Sequence, residues 1–358
     1  MQTLIIYNEN LLTQTLSYQK GWIQAFKKNN LFNCEYLNLD NFFPIQKKIP
    51  KFDELKNLVF KKYDCIILLH SAFSNACLVP KYIQKIIRHK KAFKVYFIGN
   101  EYKHMPEKMK LTKYLKINLF ITQSHRKEVI NLYQNYLESK VKSIANTGID
   151  DDIFFPKLKY DDRDIGIGYR TYPEPDYFGH QERVRLYKFL NEFSLNNKKF
   201  KFDLSIKNED RFDYLKWPDF LNNCKCLASS NTGWDYFALN DDIRNRVNKS
   251  KIKNFNIIYE KFFKNLNKGV QWRAVTGKVI EPAACKTALM LVEGDYDNFK
   301  PNIHYIPLKK DYSNINECIE KLNDSSFINQ IIDNSYELVK NKYLYRHLLE
   351  KLYNIITK

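Results

Sequence analysis

Short apolar runs alternate with amphipathic segments along the first 150 residues of the chain. The run DCIILL at 64–69 is almost continuously apolar, as expected of a parallel strand that is buried on both faces. The predicted strands are 3–7, 35–39, 64–69, 94–98, 118–122 and 142–145, and the predicted helices are 14–28, 53–62, 80–88 and 126–137. Strands that alternate with helices predict a parallel sheet covered by helices on both faces.

The alternation stops at 151–162 and then starts again. This stretch carries acidic residues and a proline but no helical or strand repeat, so we interpret it as an interdomain linker. Beyond it, the predicted strands are 164–168, 201–206, 226–229, 288–292 and 305–308, and the predicted helices are 180–193, 218–223, 241–263, 278–285, 315–322, 325–340 and 343–356. The sequence therefore predicts an α/β protein with two Rossmann-like, doubly wound domains, over 1–150 and 163–340, that face a cleft. The segment 341–358 is predicted as a C-terminal helix, with a return to the N-terminal domain left open.

Composition indicates a globular protein without a membrane span. Of the 358 residues, 44% are hydrophobic and 27% are charged, which is enough apolar material for two cores. No apolar run approaches the roughly 20 residues that cross a bilayer. The first residues, MQTLIIYNEN, are typical of a strand and not of a signal peptide. We therefore expect a cytoplasmic protein.

The net charge of +18 has two interpretations. Lysines are spread along the whole chain, which fits a solvated surface in a sequence of biased composition. The same charge fits attraction to phosphate-bearing partners, including peripheral contact with the anionic inner face of a membrane. No zinc-finger spacing, RNP strand motif or G-x-x-G loop is present in the sequence, so nucleic acid is not an expected partner.

Candidate site residues follow the predicted strands, because ligands of open α/β sheets bind beyond the carboxyl ends of the strands. In the first domain this rule selects Glu101 and His104. In the second it selects Arg170, which follows Gly168 in DIGIGYR, and Glu293–Gly294 after ALMLV. The Gly-x-Gly-x-Arg run lacks the third glycine of a dinucleotide fingerprint. A glycine-bearing strand end followed by Arg can still approach a diphosphate, and a glycine that serves only a tight turn is the alternative.

Glu281 lies in an unusually small and apolar stretch, GKVIEPAACKT. Pro282 fits only within the first turn of a helix, which puts Glu281 near the helix N-terminus. A carboxylate there can accept hydrogen bonds from the hydroxyls of a ribose, while small neighbours let the helix pack under a nucleotide. A solvated helix carboxylate is the alternative. No P-loop, HExxH or GxSxG motif and no metal-type histidine spacing occurs in the sequence, so we expect neither a metal nor another cofactor.

The stretch 277–322 resembles the donor-binding region of GT-B glycosyltransferases. The resemblance is greatest to bacterial enzymes of the group 1 or family-4-like kind that are associated with surface polysaccharides. Their pattern runs P-R-x-F-E-A-A-A, then a hydrophobic strand, E-G, and H-Y-I-P-L-K-K-D-x-S-N. His304–Asn314, HYIPLKKDYSN, matches the last part almost letter for letter. The rest of the chain resembles the family in architecture, so the resemblance implies the GT-B fold.

The resemblance also implies roles for individual residues. Glu281 takes the place of the carboxylate that binds the donor ribose, and Glu293 with Gly294 takes the place of the E-G pair. Lys278 stands where the family has Arg, so a phosphate contact there would be a point charge without bidentate geometry. Related retaining enzymes carry a second Glu eight positions before the first. Here that position is Arg273, so retention and inversion both stay open.

A mechanism follows from the same resemblance, with the nucleotide in the second domain and the acceptor in the first. Arg170, Lys278 and the helix N-terminus near Gly277 would stabilise the departing nucleoside diphosphate without a metal. An inverting enzyme needs a general base from the first domain, for which Glu101 is the first candidate and His104 the second. A retaining enzyme needs no such base.

The sequence thus predicts a glycosyltransferase that moves a sugar from a nucleotide-sugar donor to a saccharide or lipid-linked acceptor. The resemblance implies a role in the biosynthesis of a surface glycan such as a capsule or O-antigen. One alternative is a nucleotide-sugar epimerase of the same fold, which needs no separate acceptor. The other is a non-catalytic basic protein that binds an anionic membrane or nucleic acid.

Overall fold

The computed structural model describes residues 1–9, 17–42, 52–198, 200–267 and 269–358. Its first half holds a six-stranded parallel sheet in the order β2-β1-β3-β4-β5-β6. The strands are β1 (Gln2–Tyr7), β2 (Asn33–Asn38), β3 (Cys65–Leu68), β4 (Phe93–Phe97), β5 (Leu119–Thr122) and β6 (Lys140–Ser143). The helices are α1 (Ser17–Lys28), α2 (Phe52–Phe60), α3 (Lys81–His89), α4 (Met105–Leu115) and α5 (Lys127–Tyr136). The strand order reverses between β1 and β3, which opens a crevice at the carboxyl end of the sheet.

The apolar runs of the sequence form the inner strands of this sheet. All four residues of β3 are buried, because helices cover both faces. The helix predicted over 14–28 is described from Ser17 onward, and residues 14–16 lie outside the described part of the chain.

The second sheet has five parallel strands in the order β13-β12-β9-β7-β8. These are β7 (Ile165–Arg170), β8 (Phe202–Ser205), β9 (Cys224–Ser229), β12 (Ala288–Val292) and β13 (Ile306–Leu308). The helices around it are α6 (Glu182–Asn196), α7 (Lys216–Asn223), α10 (Gly277–Ala284), α11 (Ile315–Asn323) and α12 (Ser325–Lys342). Here the order reverses between β7 and β9. Together with the first sheet, this gives the two doubly wound domains that the alternation of elements predicts.

Between β9 and α10 the chain leaves the second sheet and packs on the first domain. We call residues 233–273 the excursion. It consists of an antiparallel ribbon of β10 (Gly233–Phe237) and β11 (Val270–Arg273) with the helices α8 (Asp242–Ser250) and α9 (Phe255–Phe262). Phe237 contacts Tyr133 of α5, with 5.5 Å between the ring centroids. The Asp241 carboxylate accepts hydrogen bonds from the backbone N–H groups of His104 and Met105.

The excursion differs from the sequence-based assignment in two respects. We assigned these residues to the second domain, but their apolar side chains join the hydrophobic core of the first. We also predicted one helical region over 241–263. The structure breaks it after α8, because Lys251 adopts a left-handed backbone with φ 56° that an α-helix cannot continue.

The last helix, α13 (Tyr345–Thr357), packs against α1 of the first domain. Tyr345 contacts Trp22 edge-on, with 5.5 Å between the ring centroids. A side-chain carbon at Gly148, just before the linker, would lie 2.6 Å from the Tyr345 ring, so a side chain there would collide with α13. The chain therefore crosses from the second domain back to the first after α12.

Two outer helices of the first domain carry exposed lysines. Lys81 and Lys85 are exposed on α3, and Lys110 and Lys113 are exposed on α4. Exposed aromatic rings accompany them at Tyr82 and Tyr114. Within the described ranges, no helix combines the length and apolar character needed to cross a membrane.

Candidate active-site cleft

One cleft of about 440 Å³ separates the carboxyl ends of the two sheets and is lined from both domains. Its volume lies in the range of cofactor and small-molecule sites. A second cavity of about 190 Å³ lies between α1, the linker and α13, and none of the predicted site residues lines it. The chemistry is therefore to be sought in the larger cleft.

Three cations surround one aromatic ring on the second-domain side of this cleft. The charged ends of Arg183, Arg211 and Lys278 lie 4.9, 5.1 and 5.8 Å from the ring centroid of Tyr172. The faces of an aromatic ring attract cations, so Tyr172 holds together charges that otherwise repel one another. We call these four residues the cation cluster. All four line the cleft, so three basic side chains meet on this side of it.

Lys278 reaches the cation cluster from α10. Its Nζ donates a hydrogen bond of 2.6 Å to Oγ1 of Thr171. Its pKa lies well below the usual value, first because the ammonium is removed from water and next because Arg183 and Arg211 repel a further positive charge. An anion bound in the cleft would raise this pKa again, because it attracts the charged form of Lys278.

Arg170, predicted to contact a diphosphate, also reaches the cleft but has protein partners. Its guanidinium forms an ion pair with Asp203 and donates a hydrogen bond of 2.8 Å to the Asp203 carbonyl oxygen. It also lies 4.9 Å from the ring of Phe220. Its charge is largely compensated within the protein.

Gly168, a candidate for close approach to a diphosphate, does not line the cleft and is surrounded by the protein's own side chains. A side-chain carbon there would lie 2.5 Å from Sγ of Cys224 and 2.9 Å from the ring of Phe220. The glycine is required because α7 and β9 pack tightly against β7, which is a packing role.

Glu281 lies on α10 with its carboxylate in the cleft wall and is 4% exposed. Oε2 accepts a hydrogen bond of 2.7 Å from Nε1 of Trp217. The indole stacks on Phe212 and Phe220, with centroids 6.4 and 5.5 Å away. A side-chain carbon at Gly277 would lie 2.7 Å from the carboxylate, so the glycine makes room for it.

Glu101 lies on the first-domain side of the cleft and is 2% exposed. Its Oε2 accepts hydrogen bonds of 2.7 Å from Thr122 Oγ1 and from the Tyr133 hydroxyl, and Oε1 accepts one of 2.8 Å from the Gln123 backbone. Burial raises its pKa, while these donors and Trp272 hold the carboxylate charge. Glu101 therefore ties the loop after β4 to β5 and α5, and its role as a general base stays a prediction.

Three further predicted residues lie outside the lining of the cleft. His104 packs its ring against Phe73, with 6.4 Å between the centroids, and its backbone N–H is bound by Asp241 of the excursion. Glu293 is exposed, and its Oε2 accepts a weak hydrogen bond of 3.4 Å from the Lys310 backbone. Gly294 faces Asn231, since a side-chain carbon would lie 2.2 Å from that amide nitrogen. These positions were selected because they follow strands along the chain, but the backbone beyond each strand does not bring them to the cleft.

His104 also belongs to a small group of potential metal ligands. The ligand atoms of His104, Glu107 and Asp241 lie within 4.8 Å of one another. Arg244 forms an ion pair with Asp241 at 2.9 Å, and two backbone N–H groups share that carboxylate. The Asp241 carboxylate therefore binds Arg244 and the first backbone N–H groups at the start of α4.

An aromatic row joins the two domains across the cleft. Tyr102 of the first domain contacts Phe178, with 5.3 Å between the centroids, and Phe178 contacts Trp234 of the excursion at 5.7 Å. All three line the cleft. Sequence reasoning missed this row, because Trp234 reaches it only through packing of the excursion on the first domain.

Comparison by sequence identifies no relative of this chain: neither a scan against models of protein families nor a search of curated proteins gives a match. Comparison of the structure does. HepE from Anabaena, in complex with UDP and glucose, has a TM-score of 0.54 at 9% identity, over 100% of this chain and 99% of that one. Sucrose-phosphate synthase from Thermosynechococcus elongatus has a TM-score of 0.53 at 11% identity, over 100% and 99%. The chain has the GT-B fold.

The GT-B arrangement brings four of the predicted residues to one cleft. Arg170, Lys278 and Glu281 line it from the second domain, and Glu101 lines it from the first. Arg183 and Arg211 belong to the same cleft but were missed. Arg183 lies in a predicted helix and Arg211 lies between predicted elements, and nothing in the local sequence indicates that they converge on Tyr172.

Arg273 occupies the position where related retaining enzymes carry a second Glu, and the structure shows what its side chain contacts. Its guanidinium forms an ion pair with Asp235 across the ribbon and donates hydrogen bonds of 2.9 Å to the carbonyl oxygens of Trp234 and Trp272. The side chain thus closes the β10–β11 ribbon and supplies no carboxylate to the cleft.

Proposed function

We propose that this protein is a glycosyltransferase that uses a nucleotide sugar as donor. The observation that carries the proposal is the pairing of Glu281 with the cation cluster in one interdomain cleft. A carboxylate can accept hydrogen bonds from ribose hydroxyls, and clustered cations bind a diphosphate. A nucleoside diphosphate presents both groups to the second domain at once.

The charge of the cleft supports a diphosphate leaving group. Arg170 is compensated by Asp203, whereas Lys278 donates to the neutral hydroxyl of Thr171 and is repelled by Arg183 and Arg211. When the bond to the sugar breaks, negative charge builds on the distal phosphate. Lys278, Arg183 and the N-terminus of α10 are placed to stabilise that charge. We therefore propose transfer without a metal.

Ligands of structural neighbours support a uridine nucleotide as the first donor to test. HepE has been described in complex with UDP and with UDP-glucose. An E. coli protein described as trehalose-6-phosphate bound with UDP-2-fluoro glucose has a TM-score of 0.50 at 11% identity, over 100% of this chain and 99% of that one. We propose UDP sugars as the donor class on this basis.

The acceptor in this proposal is a saccharide or a lipid-linked saccharide bound against the first domain. The aromatic row, with the amides of Asn75 and Asn100 beside it, offers rings for the apolar face of a sugar and hydrogen bonds for its hydroxyls. The exposed lysines and tyrosines of α3 and α4 support peripheral contact with an anionic inner membrane face. Both features suit a cytoplasmic enzyme of surface-glycan biosynthesis.

A transfer assay tests this function. The protein is incubated with a panel of nucleotide sugars, UDP-glucose first, with and without methyl glycosides, and products are separated by chromatography and mass spectrometry. We expect release of nucleoside diphosphate together with a disaccharide glycoside. Lys278→Met should abolish it, and Lys310→Met, an exposed lysine outside the cleft, should not.

Two other outcomes would each support one of the alternative functions. An isomerised nucleotide sugar formed without acceptor would indicate the epimerase. If no nucleotide sugar is bound or turned over, and binding to anionic vesicles is salt-sensitive, the protein is a basic binding protein.

A further inference from the structure

Lys108 is a buried cation in α4 that the proposed reaction does not use. Its side chain is 0% exposed. Its Nζ donates hydrogen bonds of 2.6, 2.8 and 2.9 Å to the carbonyl oxygens of Gly99, Asn100 and Lys103. We call these three oxygens the carbonyl cage. A single ammonium group thus bridges the two ends of the loop that follows β4.

The same loop forms the first-domain side of the cleft. Residues 100–103 all line the cleft, and we call them the first-domain wall. Asn100 and His104 both adopt left-handed backbone conformations, with φ 46° and φ 56°. Asn and His adopt this region more often than other non-glycine residues, but it is still uncommon and depends on supporting contacts. The carbonyl cage is such a contact.

The carbonyl cage requires the charged form of Lys108. An ammonium has three N–H donors for three carbonyl oxygens, whereas a neutral amine has two donors and a lone pair. Carbonyl oxygens only accept, so loss of the proton leaves one of them facing that lone pair. The neutral amine therefore cannot hold the loop closed.

Charged groups from two elements face Lys108. Burial lowers its pKa to about 7, and Lys103 and Arg244 act in the same direction, whereas the carboxylates of Glu101 and Asp241 act in the opposite one. Phe73 presents its ring 5.5 Å from Nζ. Asp241 and Arg244 belong to the excursion, so a segment that is distant along the chain also influences this ammonium.

We propose that Lys108 is the positioning residue of the first-domain wall. Its ammonium holds residues 100–103 in the shape that faces the acceptor, and loss of its proton releases them. The consequence for transfer rests on the proposed function, whereas the state of the wall is measurable without turnover.

Hydrogen exchange with mass spectrometry tests the proposal at about pH 6 and about pH 8.5, with exchange corrected for the intrinsic rate at each pH. In the wild type, protection of the amides at 99–104 should fall about 10-fold or more between the two conditions, because a buried hydrogen bond of a charged group is lost. Lys108→Met should show the low protection at both pH values. Lys110→Met, an exposed lysine of the same helix, should behave as the wild type.

Two results would overturn the proposal. One is wild-type protection in Lys108→Met, and the other is a wild-type protection that does not change with pH. If Lys108→Met does not fold, as judged by circular dichroism, the wild-type pH series decides alone.

A kinetic measurement connects the wall to transfer. With UDP-glucose and the best methyl glycoside, Lys108→Met should raise the KM for the glycoside about 10-fold and leave the KM for the donor unchanged. An equal effect on both would contradict a role in the first-domain wall. Absence of all transfer, with pH-dependent protection at 99–104, would refute the proposed function and leave Lys108 as described.

Discussion

The indole Nε1–H of Trp217 donates a hydrogen bond of 2.7 Å to Oε2 of Glu281. Trp217 is fixed in turn by its stack with Phe212 and Phe220, so the carboxylate has a rigid neutral partner. A neutral donor orients a carboxylate without cancelling its charge. The indole therefore fixes the orientation of the Glu281 carboxylate in the cleft wall.

Trp217→Phe should keep the aromatic stack and remove the hydrogen bond to Glu281. We expect nucleoside diphosphate binding to weaken about 5-fold, the effect of one hydrogen bond of about 1 kcal/mol. Isothermal titration calorimetry measures it, with Tyr82→Phe on exposed α3 as the control. Unchanged affinity would mean that Trp217 does not orient the ribose-binding group.

Gly277→Ala should separate folding from binding. The added carbon would come within 2.7 Å of the Glu281 carboxylate and displace it, while alanine favours the helical backbone more than glycine does. We expect an unchanged or raised Tm and a Kd for nucleoside diphosphate about 10-fold higher. In Gly269→Ala the new carbon meets nothing within 4 Å, so that variant should bind normally. Equal binding by both variants would argue against the position of Glu281.

Lys278 should make nucleotide binding depend on pH. Its pKa is well below normal in the unliganded protein because of desolvation, and a bound diphosphate favours the protonated form. Binding should therefore take up protons at pH values between the pKa of the unliganded protein and the higher pKa of the complex, and it should weaken as the pH rises through this window. Calorimetry in two buffers of different ionisation enthalpy measures the uptake, which Lys278→Met should abolish. Binding without proton uptake in the wild type would contradict the prediction.

The same depressed pKa predicts how Lys278 affects stability. Between its native pKa and the usual lysine value, the unfolded chain binds more protons than the native state, so raising the pH through this window favours the native state. Lys278→Met should therefore raise the Tm of the unliganded protein more at pH 6 than at pH 9. Thermal denaturation at both pH values checks this, and an equal rise at both would contradict it.

Tyr172 should act through its ring. Tyr172→Phe keeps the ring that attracts the three cations, so nucleoside diphosphate affinity should stay within about 3-fold of the wild type. Tyr172→Leu removes the ring, and affinity should fall about 10-fold as the cations move apart. Equal losses in both variants, measured by calorimetry, would assign the effect to the hydroxyl instead.

The sequence predicts the strands of the two sheets more clearly than the residues of the cleft. DCIILL is almost continuously apolar and ALMLV is entirely apolar, because helices bury both faces of β3 and β12. Each run can be recognised from neighbouring residues alone. Glu281 could be found because its small apolar neighbours are adjacent in sequence.

The excursion, the cation cluster and the burial of Glu101 depend on long-range packing. Phe237 meets Tyr133, and Arg183 meets Lys278, only after the chain has folded. Glu293 illustrates the limit of the strand-end rule. It follows a strand as the rule requires, yet its side chain is exposed and does not line the cleft.

The central claim is that Glu281 and the cation cluster bind a nucleoside diphosphate, and calorimetric titration with UDP tests it most directly. The wild type should bind, and Glu281→Ala should bind at least about 10-fold more weakly with the same circular dichroism spectrum, as expected for lost hydrogen bonds to a charged group. Glu293→Ala, an exposed carboxylate outside the cleft, should match the wild type. Equal affinity of the wild type and Glu281→Ala for UDP, or binding that Glu293→Ala weakens instead, would contradict the account.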